Sequence, residues 1–477
     1  MMFNLPSLQA LGQRCGFCPW LLIVTLVAGI SLAGCTVHPA GEAQLRRQAQ
    51  VAGRPFAKPY AQRHPSPLPF NATPGQLVHY ALRNNPQVQQ YYWQWRVAIE
   101  NIPQAGTQTT TLMLNAGTLL SRGAASFANT TAGVANMGSA DIQWPSKLSA
   151  DAQAALLRAV AAQWNYQSTR FALRRNVLDA WYGYARTAVL LKLVRRRQAL
   201  LQSVIALNQA GIKTGTVQPQ QWLSGQNRLD LLRSRALELT QQLPRQLAAL
   251  NALLGRPANT PLKPPQAIAR VPVPAASNEQ LLALAVRRNP KLQALAKLAA
   301  AGRISIRRAK MRYIPNFDLG LSTSLEGTVQ NITGALVVPA LRYQAIDASI
   351  RQARDQLRAT HASWRGQYNS LASRLLIDLI ALRNDQRQLR LFRGHILPRW
   401  RMLAALTRAA YQQGGALAAR QLGPNQTMLQ IQETLVDLQT DQDQRIADID
   451  SIIAAPIEQV PVQPSHSTAP PKIGKSD

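Results

Sequence analysis

Histidine, methionine and clustered carboxylates are the residue types that could do metal or acid–base chemistry in this chain. The methionines form no ladder, and no phosphate loop of Walker type, HExxH or GxSxG motif is present. The histidines lack the partner spacing of a ligand set; they are His38, His64, His79, His361, His395 and His466. The sequence therefore predicts a protein that is not an enzyme, with no catalytic residue, no metal site and no cofactor.

Aspartates gather late in the chain, in sequence with helical patterning. Paired carboxylates can act as general acid and base, but in an arginine-rich chain the simpler interpretation is solvation or pairing with cations on neighbouring helices. The aspartates concerned are Asp378, Asp385, Asp441, Asp443, Asp448 and Asp450.

Cys35 is the one cysteine with a distinctive setting. It follows an apolar run, WLLIVTLVAGISLAG at residues 20–34, that is short for a membrane span and typical of an export signal. The ending LAGC resembles the lipobox of bacterial lipoproteins, which implies removal of residues 1–34 and lipidation of Cys35. Thr36, in place of an aspartate, favours the outer membrane by the same resemblance. An ordinary signal peptide or an uncleaved anchor is the alternative.

The formal net charge of +31 first suggests nucleic acid or an anionic membrane surface as a partner. Export argues against nucleic acid, and the arginines are scattered along helices without a basic–aromatic recognition motif. We therefore expect no nucleic-acid partner. The cause of the charge excess stays open at this point.

Asn-Pro occurs twice between apolar stretches, in LRNNPQV at residues 82–88 and in VRRNPKL at 286–292. Asparagine is a good helix N-cap and proline suits the first helical turn, so each pair predicts the start of a helix. The chain around them divides into two repeats. The predicted segments are an extended tether at 35–73, a first repeat at 74–260, a linker at 261–277, a second repeat at 278–455 and a disordered tail at 456–477.

Each repeat is predicted to contain a helix around its Asn-Pro pair, two strands, a long helix and a return helix. The long helices are expected at about 146–207 and 340–410, and the return helices at about 219–254, distorted by Pro244, and up to 454. A helix of about 60 residues is roughly 90 Å long, and the shorter helices are about 55 Å long. Two shorter helices could therefore lie end to end along one long helix.

Four segments have strand-like sequences: TQTTTLMLNAGTLL (107–120), SADIQWP (139–145), NFDLGLSTSL (316–325) and QNITGALVVP (330–339). Alternation of Phe317, Leu319 and Leu321 with polar or small residues is typical of transmembrane barrel strands. Lipid tolerates no open sheet edge, so a spanning sheet would need three chains and twelve strands. A small soluble sheet on a helical domain is the alternative.

Over roughly residues 73–455 the chain resembles the TolC family of outer-membrane efflux channels. The resemblance rests on the two Asn-Pro segments and on IPQAG (102–106), WPSKL (144–148), LNALLGRP (250–257) and YIPNFDLGLS (313–322). It implies a mainly α fold with a small β part. Long antiparallel coiled-coil hairpins would form a periplasmic α-barrel, and four strands per chain would contribute to a trimeric twelve-stranded transmembrane barrel.

Two turns between long helices also match the family. Each has a leucine eight residues after its glycine, Leu223 after Gly215 and Leu422 after Gly414. The resemblance implies that these turns are periplasmic tips that contact an adaptor protein. The tip residues would be Ile212, Thr214, Gly215, Tyr411, Gly414 and Gly415.

A pore constriction is where the chain departs from the family. The family often places two carboxylates six and nine residues after the tip glycine, whereas here Gln221 and Ser224 follow Gly215, and Arg420 and Gly423 follow Gly414. In a trimer Arg420 could form a basic ring, which would repel itself or bind anions. Alternatively, Arg420 faces solvent or a helix interface.

The resemblance implies a passive exit duct in the bacterial outer membrane, lipid-anchored and extending into the periplasm. The implied partners are two further copies of the chain, an adaptor, an inner-membrane pump of RND type or a relative, and outer-membrane lipid. The alternatives are a lipid-anchored periplasmic coiled-coil scaffold without channel activity, and an exit duct for type I protein secretion. The substrate is not predicted.

Overall fold

The structure, a computed structural model, describes residues 36–59, 62–63, 67–108, 113–118, 130–135, 142–265, 277–324, 329–337, 342–412 and 418–455. Long helices dominate these residues, with two pairs of short strands between them. The strands are β1 (Met113–Thr118), β2 (Thr130–Ala135), β3 (Asn316–Ser324) and β4 (Val329–Val337). The helices are α1 (Glu42–Gly53), α2 (Pro74–Asn84), α3 (Pro86–Gly106), α4 (Pro145–Lys213), α5 (Pro219–Leu254), α6 (Asn278–Arg288), α7 (Pro290–Lys310), α8 (Tyr343–Leu391), α9 (Leu397–Gln412) and α10 (Ala418–Ile453).

The described elements follow one order in both halves of the chain: two helices, two strands, a long helical segment and a return helix. A short helix and a longer one meet at Asn85 and again at Asn289. Each short helix also begins with the same capping box, formed by Thr73 with Gln76 and by Ser277 with Gln280. The fold is thus mainly α with a small β part, built from one plan used twice.

The second strand is not where the sequence predicted it. SADIQWP was the expected strand, but β2 lies at Thr130–Ala135, between the first two segments predicted as strands. Ile142 forms only an isolated bridge with Phe317, and α4 already begins at Pro145. Strand formation in TTAGVA depends on its two sheet neighbours more than on its own weak β-propensity.

The second long helix is interrupted, although an unbroken helix was expected. Between α8 and α9, Phe392–Ile396 forms a π-helical turn. Pro398 has no N–H to donate to the carbonyl of Gly394, and its ring would clash with that carbonyl, so the backbone changes register there. Pro244, by contrast, does not end α5, which runs on to Leu254.

The segment predicted as an extended tether contains a helix, α1. Leu45 and Ala49 are buried, and Arg46 bridges Glu42 and Glu100. After α1 the ring of Phe56 packs 5.2 Å from that of Tyr92. The composition of EAQLRRQAQVAG favours a helix on propensity alone, and the prolines that follow it obscured this signal.

The four strands form one antiparallel sheet in the order β1-β2-β3-β4. Val134 of β2 pairs with Leu321 of β3, so the middle of the sheet joins the two repeats. The β3–β4 register shifts once, between Ser322 and Thr323.

Contacts group the chain into two compact units. Of the described residues, the first unit holds the sheet and the helix segments next to it, within 36–48, 96–160 and 297–361, and the second unit holds the others. The main core of the second unit is aliphatic and comes from α6, α7, α8 and α10: Leu281, Ala285, Leu292, Leu371, Leu375, Leu379, Leu382, Ile446, Ile449 and Ile453. Smaller clusters join α4 to α5, among them Leu201, Ile205 and Leu229.

None of the helices in the described ranges has both the length and the apolarity needed to cross a membrane.

Candidate functional site: repeat junctions, charged seam and helical tip

Asn85 joins three helices of the first repeat. Its side-chain Oδ1 accepts from the backbone N–H groups of Gln87 (2.9 Å) and Val88 (3.3 Å), which caps α3. Its Nδ2 donates to the carbonyl of Leu253 at the end of α5 (2.9 Å). Because Asn85 is buried, the loss of either partner would leave a desolvated polar group.

Asn289 repeats this arrangement in the second half of the chain. Oδ1 accepts from the N–H groups of Lys291 (3.1 Å) and Leu292 (3.3 Å), and Nδ2 donates to the carbonyl of Ile452 in α10 (2.9 Å). The duplicated Asn-Pro thus does more than start a helix. It fastens the return helix of each repeat to that repeat's opening pair of helices.

The two return helices end in the same left-handed turn, with different residues. In the first repeat Gly255 has φ +70°. Its backbone N–H donates to the carbonyl of Ala252, and the backbone N–H of Arg256 donates to the carbonyl of Asn251, as in a Schellman motif. In the second repeat Ala454 takes the left-handed position with φ +53°. A Cβ is strained in that conformation, so the second repeat carries a cost that the first avoids.

Ala454→Gly is expected to raise the free energy of unfolding by about 0.5–1 kcal/mol, because it removes this strain. Gly255→Ala should lower it by more than about 1 kcal/mol, since a Cβ there would also lie 2.6 Å from the carbonyl oxygen of Asn84. Urea unfolding of each variant measures both changes. Ala405→Gly, at an exposed position inside α9, is the control and should be destabilising.

Helices α4 and α10 are joined by a row of ion pairs, which we call the charged seam. Three of its arginines are 11 residues apart, a spacing that returns to the same helix face after three turns. Because the two helices are antiparallel, the acidic partners occur along α10 in the reverse order of the arginines along α4. The pairs are Arg174–Asp450 (3.1 Å), Arg175–Asp448 (2.8 Å), Arg186–Asp437 (2.7 Å) and Arg197–Glu433 (3.0 Å).

A carboxyl with an unusual pKa lies beside the charged seam. Burial raises the pKa of Asp179 to about 6, and the nearby carboxylate of Asp448 adds to this effect while Arg175 opposes it. Burial also raises the pKa of Asp378, Asp441 and Asp448. Among the late aspartates, Asp385, Asp448 and Asp450 pair with arginines of other helices, as the sequence suggested, and Asp385 and Asp450 are buried.

The first predicted tip is a tight turn between α4 and α5. Gly215 has φ +69°. Its backbone N–H donates to the carbonyl of Ile212 (3.1 Å), and the backbone N–H of Thr216 donates to the carbonyl of Gly211 (2.9 Å). The hydroxyl of Thr214 also donates to the Gly211 carbonyl (3.0 Å). This ending, again of Schellman type, requires a residue that tolerates positive φ, and it exposes Thr214 and Gly215 at the end of the hairpin.

The other predicted site residues are only partly placed. Gln221 and Ser224 lie in the first turns of α5 and are exposed in the single chain. Tyr411 lies at the end of α9 and Arg420 at the start of α10. Their predicted roles remain predictions. Outside the described residues lie Cys35, Gly414 and Gly415.

Within the described part of the chain, no group of three or more His, Cys, Asp or Glu side chains is arranged to hold a metal ion. The charged seam is among the features that sequence reasoning missed. The 11-residue spacing of Arg175, Arg186 and Arg197, and of Asp437 and Asp448, is a signal that could have predicted a charged face on each helix, but not which residues pair.

The sequence matches no family model and no curated protein. Solved structures are nevertheless similar. The chain aligns with CusC, described in connection with transmembrane channel formation, at TM-score 0.65 and 15% identity, covering 89% of this chain and 100% of that one. It aligns with the outer membrane protein VceC of Vibrio cholerae at 0.65 and 15%, covering 80% and 96%.

A third similar structure is the open state of the MtrE outer membrane channel of Neisseria gonorrhoeae, at TM-score 0.65 and 14% identity, covering 80% of this chain and 89% of that one. At these identities the likeness concerns the fold. The paired repeats, the four-stranded sheet and the long helical hairpins therefore have the fold of the TolC-type outer-membrane channels.

Proposed function

We propose that the protein is the outer-membrane exit duct of a tripartite efflux pump. The observation that carries the proposal is the sheet. Two repeats contribute two strands each to one antiparallel sheet, which ends in β1 on one side and in β4 on the other. Edge strands of this kind cannot face lipid, but three copies joined edge to edge would close a barrel. A passive conduit follows from that closure, without any chemistry.

Exposed apolar residues in the second unit support assembly into a ring. On α8 and α9, Ile380, Leu391 and Met402 are each at least half exposed and are 11 residues apart. On α5 the exposed leucines are Leu223, Leu231 and Leu237, of which the last two are the most exposed. Two different apolar faces on one chain suit a head-to-tail contact, which closes into a homotrimer when the rotation allows it.

The N-terminus supports the lipid anchor and the outer-membrane location. The backbone N–H of Val37 donates to the carbonyl of Gly106 (3.0 Å), the last residue of α3 before the chain continues towards β1. Val37 is two residues after Cys35. A lipid on Cys35 would therefore be attached at the end of the helices that adjoins the sheet, where the membrane would be.

The tips at residues 212–215 and 411–415 would receive a periplasmic adaptor, and an RND-type or related inner-membrane pump would supply energy and choose the cargo. Support for the first tip is the exposed, rigidly capped turn around Gly215. The constriction would lie near Arg420, Gln221 and Ser224, where a ring of Arg420 side chains would favour anions over cations.

The test is conductance of the full chain. Protein purified from bacterial outer membranes should run as a trimer that heat dissociates, and it should form channels in a planar bilayer. Leu231→Asp with Leu237→Asp should keep the helical circular dichroism but lose both the trimer and the conductance. Val51→Asp with Val97→Asp adds the same charges at exposed aliphatic positions elsewhere and should change neither.

A soluble, non-conducting protein after removal of Cys35 would contradict the proposal and favour a periplasmic scaffold. A trimer that survives the leucine substitutions would contradict the assignment of α5 to the interface.

A further inference from the structure

The end of the helices that adjoins the sheet exposes aromatic side chains. Trp144 precedes α4 and is 41% exposed, Tyr313 and Ile314 precede β3 at 40% and 44%, and Tyr343 begins α8 at 56%. The rings of Tyr313 and Tyr343 stack with centroids 6.2 Å apart. Exposed aromatics with one polar end are typical of a membrane–water interface.

The same junction is strongly basic. Residues 303–313, RISIRRAKMRY, contain five cationic residues and no acidic one. Arg308 is engaged, since its Nε donates to Asp151 (2.7 Å) and another of its N–H groups donates to Gln143. The other four cations, Arg303, Arg307, Lys310 and Arg312, are exposed. We call these four the basic collar.

No carboxylate in the described ranges forms an ion pair with the basic collar. Nearby Asp151 is paired with Arg308, and Asp347 accepts a hydrogen bond from the hydroxyl of Tyr313 (2.8 Å). Arg303, Arg307 and Lys310 are spaced i, i+4 and i+7, so they form one stripe along the last turns of α7. A stripe of like charge that no carboxylate of the described residues compensates is suited to an external anion.

We infer that the basic collar binds the headgroups of anionic phospholipids at the periplasmic face of the outer membrane. The inference rests on the proposed function, because it requires the sheet to lie in the membrane. Cations placed directly beside a membrane-spanning element each raise the affinity for an anionic lipid surface about fivefold. Three copies of the collar in a trimer would form a ring, and this accounts for part of the net charge of +31.

Quenching of Trp144 by brominated lipid tests the inference. The full chain is reconstituted into phosphatidylcholine vesicles with a fixed minor fraction of phosphatidylglycerol, and either the phosphatidylglycerol or an equal fraction of the phosphatidylcholine carries bromine. Subtraction of the signal of Trp144→Phe isolates the junction. Brominated phosphatidylglycerol should quench at least about twice as strongly as brominated phosphatidylcholine, and high salt should reduce the difference.

The collar variant replaces Arg303, Arg307, Lys310 and Arg312 with glutamine and should quench equally with both lipids. Its matched control removes three arginines and one lysine from exposed positions on α4 and α5, as Lys192→Gln, Arg195→Gln, Arg196→Gln and Arg228→Gln. The control should retain the preference. Heat-dependent gel mobility shows that each variant still assembles.

Each other outcome overturns the inference in a recognisable way. Equal quenching of the unaltered protein by both lipids would show that the basic collar does not select anionic lipid, and it would leave the channel proposal intact. If the collar variant and its control lost the preference for phosphatidylglycerol to the same extent, the preference would come from total charge and not from the basic collar. No quenching by either lipid would mean that the sheet is not in the membrane, and both proposals would fail.

Discussion

Replacement of Asn289 by alanine is expected to lower the free energy of unfolding by about 2–4 kcal/mol, a large fraction of the stability of a typical domain. Two losses add. The first turn of α7 loses its cap at Lys291 and Leu292, and the carbonyl of Ile452 loses its donor. Because the site is buried, little water can replace either partner.

Two further variants separate the contribution of the helix cap from that of the bond to Ile452. Asn289→Ser keeps a hydroxyl that can cap α7 but has no group that reaches Ile452, so it should recover about 1 kcal/mol of the loss caused by alanine. Asn84→Ala removes only a local bond to the carbonyl of Tyr80 and should cost about 0.5 kcal/mol. Urea unfolding gives all three values. If Asn289→Ser were as stable as the unaltered protein, the bond to Ile452 would contribute nothing. Asn85→Ala should repeat the result in the first repeat.

The elements that could be predicted from the sequence are those determined by local interactions. The junctions at Asn85 and Asn289 follow from capping and from the backbone limits that proline imposes, and α5 begins and ends at the predicted residues. What could not be predicted is the second hydrogen bond of each asparagine, from its Nδ2 to a carbonyl of the return helix. The bond from Asn85 to Leu253 spans 168 residues, and nothing near Asn85 indicates where its Nδ2 points.

The misplaced strand and the charged seam show the same limit. TTAGVA becomes β2 because β1 and β3 pair with it on both sides, which no pattern within those six residues indicates. Arg186 meets Asp437 because α4 and α10 are antiparallel in one particular register. The tip was identified through the family resemblance alone, and its role stays a prediction; the structure shows a turn with positive φ at Gly215.

The pKa of Asp179 leads to a dependence of stability on pH that is opposite to ordinary acid denaturation. A carboxyl with a pKa near 3.8 when unfolded and about 6 when folded binds its proton more tightly in the folded protein. Its contribution to stability is therefore greatest in acid and falls as the pH rises from about 4 to about 6. The difference in pKa corresponds to at most about 3 kcal/mol.

Asp179→Asn should remove this dependence, because asparagine resembles the protonated carboxyl and can still accept from Arg175. At pH 7 the variant is expected to unfold at a higher urea concentration than the unaltered protein, whereas at pH 4 the two should coincide. Asp355→Asn, in an exposed pair with Arg358, should leave the profile unchanged. If Asp179→Asn were instead the less stable protein at pH 7, then Arg175 rather than burial would dominate the environment of this carboxylate, and Asp179 would act as a fifth favourable partner in the charged seam.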